Sequence, residues 1–325
     1  MMKVIEREWL QGMSFSGQSN MGESESHEWL NKDTAELLYL AHQEMVSAIG
    51  DKFELCGITN AKSGKCSEDC KFCAQSSRYS TASPIYPLKD KDTMLSEAVK
   101  AKEIGAKRIG IVTSGRDISQ RDLETITDTI VAVKRETDMQ VCASLGVLDK
   151  AALSVLRDAG LTRFHHNIET SRCFYPKVVS THLFDDRVQT IRAAQEVGLE
   201  VCSGGIIGLG EDESDRVSMA LTLRDLGVKS VPINILVPIK GTPFANNQSL
   251  SVAEILRTIA IFRLVLSDTT IKIAAGREST LGDFQGMAFW SGANGMIIGG
   301  YLTIGGRDVE NDLRLVEEWK KLCIG

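Results

Sequence analysis

The chain has 325 residues, 43% hydrophobic and 25% charged, with a formal net charge of -6. That length suits two average domains or one α/β barrel, and the composition is that of a globular protein with a large core. The acidic balance argues against nucleic acid or an anionic membrane as main partner, no apolar run reaches the roughly 18 residues of a bilayer span, and the first residues lack the apolar stretch of a signal peptide, so a cytoplasmic protein is expected.

Residues 1–23 are polar and rich in Gly and Ser, and read as a flexible arm. Residues 24–50 read as a helical extension, with Leu30, Leu37, Leu40, Ala41 and Met45 near helical spacing. A beat then sets in. Eight short β-rich runs recur: KFELCGIT, RIGIVTS, QVCASLG, RFHHNIET, LEVCSGGII, SVPINILV, IKIAAG and GMIIGG. Helical stretches such as LETITDTIVAVKRET and SDRVSMALTLRDLG lie between most of them, several ending in the Gly that closes a helix. The repeat of about 30 residues is that of a β–α unit. Alternating β and α argues for a parallel sheet, and eight strands argue for closure into a TIM-type (β/α)8 barrel. An open doubly wound sheet is the alternative. No linker or composition shift marks a second domain, so residues 24–325 are expected to form a single barrel domain.

The eight cysteines are Cys56, Cys66, Cys70, Cys73, Cys142, Cys173, Cys202 and Cys323. In a reducing compartment such residues are buried, metal-binding or catalytic rather than disulfide-bonded. Cys66, Cys70 and Cys73 cluster in KSGKCSEDCKFC, directly after the first β-rich run. In a barrel, that places them on the face where the chemistry sits. A structural zinc site takes four ligands and often pairs two Cys-x2-Cys units; here there is no second pair and no nearby His. Three thiolates on an iron–sulfur cubane leave one iron open to a small molecule. A zinc knuckle is the bland alternative.

The Cys-x3-Cys-x2-Cys spacing, with Phe72 before the last cysteine, resembles the radical S-adenosylmethionine enzymes. The resemblance implies a 4Fe-4S cluster on Cys66, Cys70 and Cys73, with S-adenosylmethionine chelating the open iron as the source of a 5′-deoxyadenosyl radical. Further along, NAKSGKCSEDCKFCAQSSRY, HHNIETS, VCSGGIIGLGE, VPINILVPIKGTP and AAGRE occur in order over roughly residues 50–280 and resemble the biotin synthase family. That resemblance implies radical insertion of sulfur into dethiobiotin, with flavodoxin or ferredoxin as electron donor. Homodimers are common in the family, and no interface is legible in these residues. By matching position, Gly204, Ile206 and Gly208, with Glu211, pack beside the adenosyl group. Asn167 and Glu169 contact substrate or nucleoside, and Arg187 holds the carboxylate of S-adenosylmethionine. Asn234 and His165 bond the ureido ring of dethiobiotin; His165 departs from a version of the pattern that carries Asn.

The family also implies a second, auxiliary iron–sulfur cluster as the sulfur donor, held by three strand cysteines and an arginine. Cys142, Cys202 and Arg277 match, but Gly110 stands where the remaining cysteine is usual. Cys56, on the neighbouring first strand, is the expected replacement, with Gly110 leaving room for a different, four-iron cluster. Arg277 is expected either as a ligand or as a hydrogen-bond donor to sulfur. Cys173 and Cys323 read as incidental. Other radical enzymes that share the barrel, such as methylornithine synthase or the maturase of iron-only hydrogenase, are a competing reading that Cys142, Cys202 and Arg277 argue against.

Overall fold

The computed structural model describes residues 29–302 and 306–324; the arm expected over residues 1–23 lies outside them. A compact unit begins at residue 33. Its first helix, α1 (Thr34–Ala48), lies within the helical extension expected over residues 24–50; Trp29 and Leu30 before it are helical too, and residues 24–28 lie outside the described residues. The start of α1 is set locally: the Asp33 carboxylate accepts from the Ala35 amide and caps the helix there. Leu37, Ala41 and Met45 are fully buried, as their spacing requires, whereas Leu40 is only half-buried.

Every β-rich run forms part of one parallel sheet. The strands are β1 (Glu54–Lys62), β2 (Arg108–Thr113), β3 (Gln140–Ser144), β4 (Arg163–His165), β5 (Glu200–Cys202), β6 (Gly205–Ile207), β7 (Ser230–Ile235), β8 (Thr270–Ile273) and β9 (Gly295–Ile297). Their order is β5-β4-β3-β2-β1-β9-β8-β7-β6, and β5 also pairs with β7 through Cys202 and Ser230, which closes the barrel. The open sheet is thereby excluded.

The fifth run, expected as one strand, is broken into β5 and β6. A Cβ on Gly204 would lie 2.0 Å from the Pro232 carbonyl, and one on Gly205 would lie 2.3 Å from the Glu169 carbonyl. The missing side chains let neighbouring backbone close in, and the ladder passes from β4 to β7 across this jog. The Ile206 amide then donates to the Glu169 carbonyl (2.8 Å), joining β6 to the segment after β4.

The helices form the outer layer. They are α2 (Lys91–Glu103), α3 (Gln120–Glu136), α4 (Lys150–Asp158), α5 (Phe184–Glu196), α6 (Glu213–Asp225), α7 (Val252–Val265), α8 (Arg277–Leu281), α9 (Gln285–Trp290) and α10 (Val309–Ile324). α3 shows the local logic. Ser119 accepts from the Asp122 amide at its start, and Leu123, Ile126, Ile130 and Val133 bury one face. Beneath the helices lie the outward residues of the strands, including Val141, Phe164, Val201, Val231 and Ile271. Each such burial contributes roughly 1.5–3 kcal/mol. Among the described residues, no helix is long and apolar enough to cross a membrane.

Candidate active site

Side chains alternate across a strand, so the register decides what faces the barrel interior. A chamber of about 460 Å³ has Cys56 on its wall from β1, Gly110 from β2, Cys142 from β3, His165 from β4, Cys202 from β5 and Lys272 from β8. Cys56 is paired with Arg108, Gly110 with Cys142, and His165 with Cys202. His165 and Asn167 both face the chamber, while His166 between them packs against Phe164 on the other side.

The cysteine loop leaves the C-terminal end of β1 and folds back on itself. Gly64 and Lys65 turn it with φ of 77° and 54°. The Cys66 amide donates to the Gln75 carbonyl (3.1 Å), Ser77 to Cys66 (2.8 Å) and Cys73 to Cys70 (2.9 Å). Each of the three thiols is close enough to the others for their charges to interact. Burial pushes the Cys73 thiol up to about 11 and that of Cys70 higher still. Thiols this buried ionise against a metal rather than alone. Three neighbouring thiols beside an open chamber, with Phe72 and Cys73 on its wall, suit an iron–sulfur cubane with one free position.

Beyond the loop, Asn167 and Glu169 line the chamber from the segment after β4. Glu169 has φ of 68°, an unfavourable conformation for a non-glycine residue that the surrounding bonds impose. Its amide donates to Gly204 (3.2 Å), and its carboxylate lies 3.5 Å from the Arg187 guanidinium. Arg187 also donates to the Asn167 carbonyl (3.0 Å) and the Tyr175 hydroxyl (2.7 Å). Arg187 is thus not on the wall but holds two residues that are.

Of the four residues expected beside the adenosyl group, only Ile206 lines the chamber. Gly204 supplies the close approach described above. Gly208, with φ of 89°, donates its amide to Glu211 (2.8 Å), which is itself bound to Arg216 (2.8 Å). This pair fixes the entry to α6 instead. Asn234 lines the chamber, but its amide is engaged by backbone: it donates to the Gly205 carbonyl (3.1 Å) and accepts from the Ala275 amide (3.2 Å).

The arginine expected at the auxiliary site requires correction. Arg277 opens α8 and is 1% exposed, but it is absent from the chamber wall. Its guanidinium is taken by Asp312 of α10 (3.0 Å), by the Tyr301 hydroxyl (2.8 Å) and by Gln285. A buried cation so bound has no reason to leave its carboxylate. The cation that faces the interior from the eighth strand is Lys272, five residues earlier.

Lys272 belongs to a charged group that sequence reasoning missed. Its ammonium lies 3.1 Å from the Cys56 sulfur and pairs with Glu54. Glu54 also binds Arg163 (2.9 Å) and lies 3.8 Å from Arg108, and Arg108 reaches the Cys142 sulfur at 3.7 Å. Burial raises the Cys56 thiol to about 12 and also raises Cys142. At Cys202 burial is overcome by Lys272, His165 and Arg163, which bring the thiol down to about 6. Three buried thiols from three strands, faced by cations, suit a second cluster. A signal was available: Glu54 precedes Cys56 by one strand period, and Lys272 interrupts an apolar run. Cys173 is exposed and Cys323 lies in α10; neither faces the chamber.

Residues 61–223 match the Radical SAM superfamily, and residues 232–320 match the Biotin and Thiamin Synthesis associated domain. A biotin synthase of Thermotoga petrophila is 52% identical over 296 residues, covering 91% of this chain and 98% of that protein. One from Thermotoga neapolitana is 54% identical over 272 residues, covering 83% and 97%. Among solved structures, methylornithine synthase superposes with a TM-score of 0.80 at 20% identity, covering 91% of this chain and 92% of that one. The FeFe-hydrogenase maturase from Carboxydothermus hydrogenoformans gives 0.77 at 17%, covering 90% and 73%. These two share the fold; the close sequence relatives carry the family. With its cysteine loop, its closed barrel and relatives at half identity over most of its length, this chain belongs to the biotin synthase family of radical S-adenosylmethionine enzymes.

Proposed function

We propose that the chain converts dethiobiotin to biotin by radical sulfur insertion in the chamber of its barrel. Cys66, Cys70 and Cys73 hold the 4Fe-4S cluster. Phe72, Ile206, Asn167 and Glu169 enclose the cofactor, and Arg187 supplies the positive charge for its carboxylate. When bound, the cluster and S-adenosylmethionine supply a 5′-deoxyadenosyl radical that takes hydrogen from unactivated carbon. The chain's part is to hold the partners apart from water and in line, since a stray radical would be quenched in the open. His165 and Asn167 offer polar groups to the ureido ring. Asn234 orders the wall beside them through its two backbone bonds.

Cys56, Cys142 and Cys202 would hold the auxiliary cluster, which would supply the sulfur; a four-iron cluster is the type we propose. Gly110 leaves room for it: a Cβ there would touch only the Ile58 side chain at 3.4 Å and the Gly57 carbonyl at 3.8 Å. Lys272, Arg108 and Arg163 offset the charge of thiolates and sulfides. A flavodoxin or ferredoxin of the cytosol provides the electron.

One observation carries the proposal. A single chamber joins the cysteine loop at one end to three buried strand cysteines, so radical source and sulfur source face one substrate-sized space. The test is anaerobic reconstitution with iron and sulfide, followed by dethiobiotin, S-adenosylmethionine and a reductant. Biotin and 5′-deoxyadenosine should both form. Deoxyadenosine without biotin would transfer the chain to another radical reaction.

A further inference from the structure

We infer that Glu68, His182 and Arg187 form a positioning relay that ties the cysteine loop to the guanidinium that stands behind Asn167 and Glu169 and supplies positive charge for the carboxylate of S-adenosylmethionine. The inference rests on the reading of that site given above.

Glu68 lies between Cys66 and Cys70 in the chain and is buried. Its carboxylate takes the His182 Nδ1 and the Thr181 hydroxyl. The loop residues that follow are bound by the same stretch of chain. Asp69 accepts from the amides of Ser180 (2.9 Å) and Thr181 (3.2 Å), and the Lys71 amide donates to Val178 (3.1 Å). Residues 178–182 are therefore a strap across the cysteine loop. The strap runs directly into α5, which carries Arg187.

The far side of the His182 ring decides what the strap does. Its Nε2 lies 3.0 Å from the Arg187 Nη2. A guanidinium has donors and no acceptor, so Nε2 must accept and the ring proton must sit on Nδ1, where it donates to Glu68. His182 is neutral in this arrangement. It transmits the position of a carboxylate in the cluster loop to the guanidinium, whose other nitrogens hold Asn167, Tyr175 and Glu169. Each arm of Arg187 is used, so its direction is set from three sides. Loss of the His182 bond frees one.

The charged and titratable neighbours of the ring are Glu68 and Asp69 from the loop, with Arg116 3.9 Å from Glu68 on its other side. Arg187, Glu169, His166 and the edge of the Tyr175 ring complete the surroundings. Burial, then Arg187, holds His182 below its ordinary pKa, which keeps the accepting form at neutral pH. Protonation would set one N–H against another and one cation against another. The relay then breaks as pH falls.

The test measures binding rather than turnover. Wild type and variants are loaded anaerobically with iron and sulfide, iron per chain is counted, and the dissociation constant of S-adenosylmethionine is measured by equilibrium dialysis at pH 8 and pH 5.5. His182→Leu should weaken binding about tenfold to a hundredfold at pH 8, the usual cost of removing a supporting partner, with iron unchanged. His182→Gln offers a donor and an acceptor that do not titrate. It should recover most of the affinity at pH 8 and lose less than wild type between the two pH values. Wild-type affinity in the Leu variant, or a Gln variant with the wild-type pH dependence, would overturn the relay. If the Leu variant takes up no iron, the pH profile of the Gln variant decides. A wild-type protein that carries iron and binds no S-adenosylmethionine would overturn the site assignment itself.

Discussion

Glu54→Gln tests the charged floor of the barrel. Burial alone would raise the Glu54 pKa, but Lys272, Arg163 and Arg108 overcome it and hold the carboxyl at about 2, against an ordinary 4.5. At 1.36 kcal/mol per pKa unit, that depression is worth about 3 kcal/mol of stability at pH 7. Glutamine keeps the shape and removes the charge that faces Lys272, Arg108 and Arg163; among the described residues, Arg163 alone of the three keeps a second carboxylate, Glu200 (3.1 Å). The sign is that of a depressed acid: the contribution is present above pH 4.5 and is lost as pH falls toward 2. In urea unfolding of the metal-free, reduced chain, an m-value of about 3 kcal/mol/M would place the variant midpoint about 1 M below wild type at pH 7. The gap should close below pH 4.5. Equal midpoints at pH 7, or a gap undiminished at pH 3, would refute the assignment of Glu54 as the countercharge.

Three further outcomes are expected. Cys56→Ala should lower iron and sulfide per chain to the content of one cluster, while Cys173→Ala, at an exposed position, should leave both counts unchanged; identical counts in the two variants would remove Cys56 from the auxiliary site. Arg277→Met should cost about 3–5 kcal/mol by stranding the buried Asp312, read as a lower thermal midpoint, yet leave the iron content of the folded protein at the wild-type level; a selective loss of the auxiliary cluster would return Arg277 to the chamber. Gly204→Ala should destabilise by at least about 1–3 kcal/mol, because its methyl group would meet the Pro232 carbonyl; a circular-dichroism melt at the wild-type temperature would contradict the jog between β5 and β6.

Much of the architecture was legible because it rests on local periodicities. The β-rich runs, the helices between them and their closing glycines imply repeated β–α units, and a closed barrel is how eight such units bury both faces of a parallel sheet. The jog at Gly204 and Gly205 was not legible. It depends on carbonyls of Pro232 and Glu169 that approach from other strands. The cysteine loop was legible for the opposite reason: its three ligands lie within eight residues, and short spacing confines them to one centre.

The auxiliary site divides the same way. Alternation left each strand cysteine an even choice of face, and the inward side of Cys56, Cys142 and Cys202 follows from the register. Arg277 was misjudged because a motif places a residue in the chain but not the direction of its side chain, and the carboxylate that captures it is Asp312, 35 residues away. Lys272, Glu54 and Arg163 meet from three strands; Glu54 and Lys272 each stand out within their own strands, but which of them meet is set by the register. Spacing within a segment is a property of the chain, so the sequence by itself determined the barrel and the loop that carries the first three thiols. Which buried charges share a chamber is set by the register and closure of the sheet, so the floor of the barrel and the relay through His182 were decided by the tertiary structure.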